Sequence, residues 1–255
     1  NTGTYPLNYH AGILDIPPAT GRGLFGTAVE GPTCGGPDAY GHMWISSDDP
    51  EGPIHEWRDI GASGTPVTLG DDDAHSVTLP FLFSLYGDPK DKVLICSNGY
   101  LTFGETGDAF SNPPIPYPEE PNDLIAPLWT DLNPSLGSGR IYYYHDTGAG
   151  EFAVQWDHVR FWGSEDEATF QSRLLRNGDI LFTYHTVAAD YLSAVGIEDA
   201  TGARGLQVAR RDDFPTGGQT IRISLGADWI ECDKPAGVLP PGETKDLVLK
   251  VNGAG

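Results

Sequence analysis

The sequence predicts an all-β fold, a β-sandwich or barrel of many short strands. Three observations carry this reading. The 255 residues include 33 glycines and 21 prolines yet keep 11 % aromatics, a composition of short strands joined by tight turns. Turn signals such as Gly150, Asn177-Gly178-Asp179 and Thr201-Gly202 punctuate apolar runs at the roughly 8–12-residue spacing of a sandwich or barrel. No stretch has the sustained 3.6-residue period of a long amphipathic helix.

Taken in order, Asn1 to Tyr9 reads as a turn and a strand, and residues 14–34 as a Pro- and Gly-rich connector. Trp44 and Trp57 flank an acidic turn, Ser46-Ser47-Asp48-Asp49-Pro50-Glu51-Gly52. Strands are expected at 77–85, then at 92–97 and 99–104, where Asn98-Gly99 between apolar runs is a strong hairpin signal. Five prolines between Pro113 and Pro121 make the next stretch neither helix nor inner strand. The apolar run at 123–129 ends in Trp129, followed by Asp131 and Asn133. Further strands are expected at 139–145, 151–159, 168–175, 179–185, 193–198, 205–209 and 219–225. At the far end Leu247, Leu249 and Val251 share one face of an alternating strand.

Several strings resemble a known module. Gly35-Gly36-Pro37-Asp38-Ala39-Tyr40-Gly41, Leu69-Gly70-Asp71-Asp72-Asp73, Leu79-Pro80-Phe81, Ser97-Asn98-Gly99-Tyr100-Leu101-Thr102-Phe103-Gly104, Pro121 to Pro134, Val154-Gln155-Trp156-Asp157, Asn177-Gly178-Asp179-Ile180 and Val195-Gly196-Ile197-Glu198 follow one another in its order. Together they resemble a β-sandwich module of secreted bacterial proteins, similar to the nidogen-like domain and to plexin-domain-containing receptors, over roughly 35–225. The ends, Asn1-Thr2-Gly3 to Asn8 and 228–251, resemble two parts of a bacterial Ig-like repeat. The resemblance implies a β-sandwich module inserted into, or flanked by, a smaller Ig-like β-sandwich, with domains at 1–13 plus 226–255 and at 35–225, an extracellular or cell-surface setting, and no particular ligand or reaction.

Charge and motifs narrow the function. A net charge of −21 repels nucleic acid and anionic membranes, and no apolar run approaches the length of a membrane span. No G-x-S-x-G elbow, paired-histidine zinc motif or phosphate loop is present, so a non-enzymatic structural or adhesive module is expected. The alternative is a carbohydrate- or substrate-binding accessory domain of a secreted hydrolase. Calcium is the best chemical candidate, because it takes six to eight oxygen ligands. Three acidic turns offer them: Asp48, Asp49 and Glu51; Asp71, Asp72 and Asp73; Asp131 with Asn133. None has EF-hand spacing, and aspartates also favour turns on their own account. Among the aromatics Trp44, Trp57, Trp129 and Trp156 are expected in the core, whereas Trp162, with Phe161 beside it, is the candidate contact for a surface glycan.

The three cysteines and the chain ends give two last expectations. Cys34 and Cys232 lie at the same inferred junction and are expected to form a disulfide, leaving Cys96 as a buried free thiol where the resembled module usually has serine. Residue 1 is Asn, so preceding residues are expected to have been removed. The half-domain at the ends would then lack strands, to be supplied by neighbouring domains of the same polypeptide or by identical subunits adding a strand and building a fibre.

Overall fold

The computed structural model describes residues 7–10, 32–188, 192–210, 215–226, 230–232, 236–239 and 249–251, with side chains over 32–188, 192–210 and 215–226. The strands in chain order are β1 (Leu7–His10), β2 (Cys34–Gly35), β3 (His42–Ser46), β4 (Thr65–Val67), β5 (Ala74–Leu85), β6 (Asp88–Cys96), β7 (Leu101–Thr102), β8 (Leu124–Trp129), β9 (Leu132–Asn133) and β10 (Arg140–Asp146). They continue with β11 (Glu151–Phe161), β12 (Glu167–Leu175), β13 (Ile180–Thr186), β14 (Ala194–Glu198), β15 (Gly205–Arg210), β16 (Gln219–Leu225), β17 (Ile230–Cys232), β18 (Ala236–Leu239) and β19 (Leu249–Val251). No helix occurs among the described residues.

The chain divides into two units, 32–224 and the two ends, 1–31 with 225–255. In the unit built from the ends, β1 pairs antiparallel with β18 (Leu7 opposite Leu239) and β17 with β19 (Ile230 opposite Val251). The proposed connector and most of the terminal half-domain lie outside the described residues.

The larger unit is two antiparallel sheets. One has nine strands in the order β2-β3-β16-β13-β12-β11-β10-β4, with β9 paired to β11; the other has six, β15-β14-β8-β7-β6-β5. Alternation puts Phe152, Val154 and Trp156 of β11, Phe170 of β12 and Phe182 and Tyr184 of β13 on one face, where they meet Phe83, Ile95, Ile125 and Ile197 of the other sheet. Each such side chain contributes about 1.5–3 kcal/mol by leaving water. Trp156 stacks on Phe170 at 5.0 Å and donates its indole N–H to the Cys96 carbonyl at 2.9 Å. Tyr184 likewise donates its hydroxyl to the Pro127 carbonyl at 2.7 Å. These bonds join the sheets and satisfy the only polar atoms the two side chains bring into the core.

The proline-rich stretch forms a third layer. Its Ile115 joins Cys96, Tyr100, Leu124, Ala126, Trp129 and Ala194 in a second cluster, on the face of the six-stranded sheet turned away from the main core. The layer is pinned by polar bonds: Ala109 N–H to the Tyr100 hydroxyl (3.1 Å), Trp129 Nε1–H to the Ala109 carbonyl (3.0 Å) and Ile115 N–H to Gln207 (3.0 Å). Cys96 is a buried free thiol, as expected, and burial raises its pKa. Cys34 is also a free thiol, half-buried on β2; the side chain of Cys232, its expected disulfide partner, lies outside the described residues.

The outward face of the nine-stranded sheet corrects another expectation. Trp57 is not in the core: it lies half-buried on this face, stacked on His185 at 5.0 Å. The segment around it crosses Glu151, Gln155 and Gln171, and Ile60 N–H donates to Gln155 Oε1 at 3.0 Å while Gln171 donates to the Arg58 carbonyl at 2.6 Å. Trp44, Trp129 and Trp156 are core residues.

Candidate functional site

Four loops meet around the Asn98-Gly99 turn. Asn98 Oδ1 accepts the Leu132 N–H at 2.8 Å, its carbonyl accepts the Thr130 N–H at 3.2 Å, and its Nδ2 donates to Asp72 Oδ1 at 2.8 Å. The neighbouring Ser97 N–H donates to the Asp73 carbonyl at 2.9 Å, and Ser97 Oγ accepts the Asp73 N–H at 3.0 Å. On the other side Trp162 N–H donates to the Asp131 carbonyl at 2.9 Å, where β9 pairs with the end of β11. One amide side chain thus ties the loop at 70–73 to the one at 130–134, and the latter holds the 162–164 turn.

The result is a carboxylate trio. Ligand oxygens of Asp71, Asp72 and Asp131, 60 residues apart in sequence, lie within 4.8 Å of one another. Asp71 Oδ1 is buried and has no hydrogen-bond partner. Burial, and then the charge of Asp72, push the Asp71 carboxyl above its ordinary range; burial, then Asp72 and Asp71, do the same to Asp131. Two unit charges about 4 Å apart repel by roughly 1 kcal/mol in bulk water and roughly 4 kcal/mol at a protein-like dielectric of 20. A divalent cation would remove that repulsion and use the oxygens as ligands.

The other acidic candidates do not join the trio. Asp73 turns back to cap its own loop, accepting N–H bonds from Gly70 (3.0 Å) and Ala74 (2.8 Å). Asn133 is buried, and its Oδ1 accepts from the N–H and hydroxyl of Ser135. Asp48, Asp49 and Glu51 form a separate turn in which Asp49 accepts from the Thr33 hydroxyl (2.9 Å) and the Glu51 N–H (3.0 Å), and Asp48 from Gln219. Among the described residues the ligand oxygens of these three are not gathered within 4.8 Å of one another as those of the trio are. Trp162 is 61 % exposed, so it can make a contact. Phe161 cannot: as the last residue of β11 it alternates into the core and is 1 % exposed.

Sequence reading missed Asn98 as the organiser, although its place in the Asn-Gly turn was the available signal. It also missed how buried charges elsewhere are paired. Glu151 is held by Arg58 and by Arg173 (2.6 Å), and Asp199 by Arg204 at 2.7 Å. In the Gly-Gly-Pro-Asp-Ala-Tyr-Gly string, Asp38 Oδ1 accepts the N–H groups of Tyr40, Gly41 and His42 at 2.8–2.9 Å, and its Oδ2 the Tyr86 hydroxyl at 2.7 Å. Glu151 and Asp38 thus tie separate segments together, whereas the Asp199 carboxylate closes its own turn.

With this geometry in view, comparison with known families is decisive for the larger unit. A family described as nidogen-related matches residues 54–224. The chain belongs to the nidogen-related family. No solved structure matches it. Membership is consistent with a non-enzymatic module in an extracellular context, and the nidogen-related match covers β4 to β15, β16 but for its last residue, and all four converging loops. No helix among the described residues is long and apolar enough to cross a membrane.

Proposed function

We propose that this nidogen-related chain is an extracellular structural and adhesive module whose loop end binds calcium and presents Trp162 to a surface glycan. The observation that carries the reading is the convergence of Asp71, Asp72 and Asp131 with the turn that bears the exposed Trp162. An ion there would neutralise three crowded carboxylates and stiffen the loop that accepts the Trp162 N–H. Aromatic faces contribute to sugar binding through stacking and apolar contact, for which an exposed indole is suited. The same arrangement serves an accessory domain that brings a secreted hydrolase to its substrate. Assembly into a fibre rests on the two chain ends and is a separate proposal.

The test is thermal melting of metal-free protein with added calcium and with excess chelator. Calcium at about 100 times its dissociation constant stabilises by about 2.7 kcal/mol, so the melting temperature rises. Asp71→Asn and Asp131→Asn are expected to abolish the response, whereas Asp49→Asn leaves it intact. A melting curve indifferent to calcium in demonstrably metal-free protein sinks the cation site. Trp162→Ala is expected to leave the melt within about 0.5 kcal/mol of wild type, as exposed positions do. A glycan-array signal unchanged by it would sink the contact.

A further inference from the structure

The six-stranded sheet has a weak joint. Its middle strand β7 is two residues long, pairing Leu101 and Thr102 with Ile95 and Leu94 of β6 on one side and with Ile125 and Leu124 of β8 on the other. Across this joint Lys90 of β6 reaches Asp123, the residue before β8. Lys90 Nζ lies 2.5 Å from Asp123 Oδ2, and the two side chains are only 14 % and 10 % exposed. The Phe103 ring lies 5.7 Å from the same nitrogen.

The carboxyl is held in place. Asp123 has a left-handed backbone (φ 55°), its N–H donates to the Asp199 carbonyl at 3.0 Å and its carbonyl accepts the Phe103 N–H at 2.9 Å. An aspartate in this conformation persists only where its surroundings enforce it. Burial, together with the charges of Asp88 and Asp199, holds the Asp123 carboxyl above its ordinary range against the opposing pull of Lys90, toward the protonated acid. A buried ion pair scarcely recovers the desolvation of its two charges, and a neutral amide at the same place would carry no such cost.

We propose that Lys90 and Asp123 condense into an intramolecular isopeptide bond that staples β6 to the entry of β8. The Lys90 ammonium passes one proton to the Asp123 carboxylate across the existing hydrogen bond, and the freed Nζ lone pair attacks Cγ. The bond from Cγ to the protonated oxygen then breaks, and the departing hydroxyl takes a second proton from Nζ and leaves as water. Ammonium plus carboxylate becomes amide plus water, with no change of oxidation state and no further reactant. Lys90 also lines a groove of about 350 Å³ with Lys92, Thr102 and Phe103, which gives the water a way out. The staple would close the two-residue joint covalently in a unit whose described cysteines, Cys34 and Cys96, are free thiols.

Intact mass of the denatured, reduced 255-residue chain decides the matter. The expected mass is lower than the sequence mass by one water. Trypsin should fail to cut after Lys90, and mapping should yield one branched peptide joining the Lys90 and Asp123 segments. Lys90→Arg, which keeps the cation but cannot form the bond, and Asp123→Ala should both restore the full sequence mass. Folded wild-type protein, shown by a cooperative melt, with its full sequence mass overturns the proposal. So does a water loss that maps to any other residue, such as a succinimide at another aspartate. The wild-type mass is informative even if a variant fails to fold.

Discussion

Gly99→Ala is expected to destabilise the larger unit by about 3 kcal/mol or more and to lower its melting temperature by roughly 10 °C. Gly99 has φ 74°, a region that alone costs an L-residue about 1–2 kcal/mol. A Cβ there would also stand 2.1 Å from the Leu128 carbonyl oxygen and 3.1 Å from Leu132 Cδ1. The backbone cannot retreat, because Leu128 N–H donates to the Gly99 carbonyl at 3.2 Å and Thr130 N–H to the Asn98 carbonyl at 3.2 Å. Gly163 separates the two costs: it has φ 71° and nothing within 4 Å of an added Cβ. Gly163→Ala should therefore cost only about 1 kcal/mol. Chemical denaturation of both variants checks this, and equal losses would show that the contact with Leu128 contributes nothing. Because Asn98 bonds Asp72, Gly99→Ala should also weaken any stabilisation by calcium at the proposed site more than Gly163→Ala does.

The strands were legible where apolar residues alternate cleanly with exposed ones, as in β5, or where a short apolar run buried on both faces is bounded by turn signals, as in β8 and β14. β5, β6, β8 and β10 to β16 fall within a few residues of the expected ranges. The short strands β2, β3, β4 and β9 were not legible, because two to five residues carry too little pattern and their pairing is long-range. Trp57 was misplaced because a sandwich normally leaves one face of each sheet to solvent. Here the 54–60 segment covers that face, and a tryptophan there packs without being core. The carboxylate trio was half legible: the acidic turns were visible, but which of them converge depends on Asn98 and on the pairing of β9 with β11. Phe161 and Trp162 are adjacent in sequence and opposite in role, because β11 ends between them.

The proline-rich layer should respond to pH through Glu198. This β14 carboxyl is 1 % exposed, and its Oε2 accepts the Tyr117 N–H at 2.6 Å, anchoring the layer to the sheet. Burial, aided by the charges of Asp199 and Glu120 and opposed by the Tyr117 N–H, pushes its pKa from 4.5 up to about 8. The folded protein therefore holds a proton that the unfolded chain releases at lower pH. The contribution of Glu198 is fully present below pH 4.5 and is lost as pH rises through about 8, a difference on the order of 3–5 kcal/mol over that window. Asp199 behaves in the opposite sense: burial raises it, but Arg204 and the Thr201 and Arg204 N–H groups outweigh this and hold it at about 2, so its contribution is lost only as pH falls toward that value. His42 and His145, lowered by burial, lose stability as pH falls below 6.5 and partly mask the Glu198 slope in the wild type. The informative quantity is therefore the difference between wild type and Glu198→Gln, in which those groups cancel. The glutamine keeps an acceptor for the Tyr117 N–H and has no charge to bury. Unfolding free energies from urea titrations at pH 5, 7 and 8.5 should show the two proteins nearly equal at pH 5 and the variant more stable by several kcal/mol at pH 8.5. A difference that stays constant across those pH values would mean that Glu198 does not take up its proton on folding.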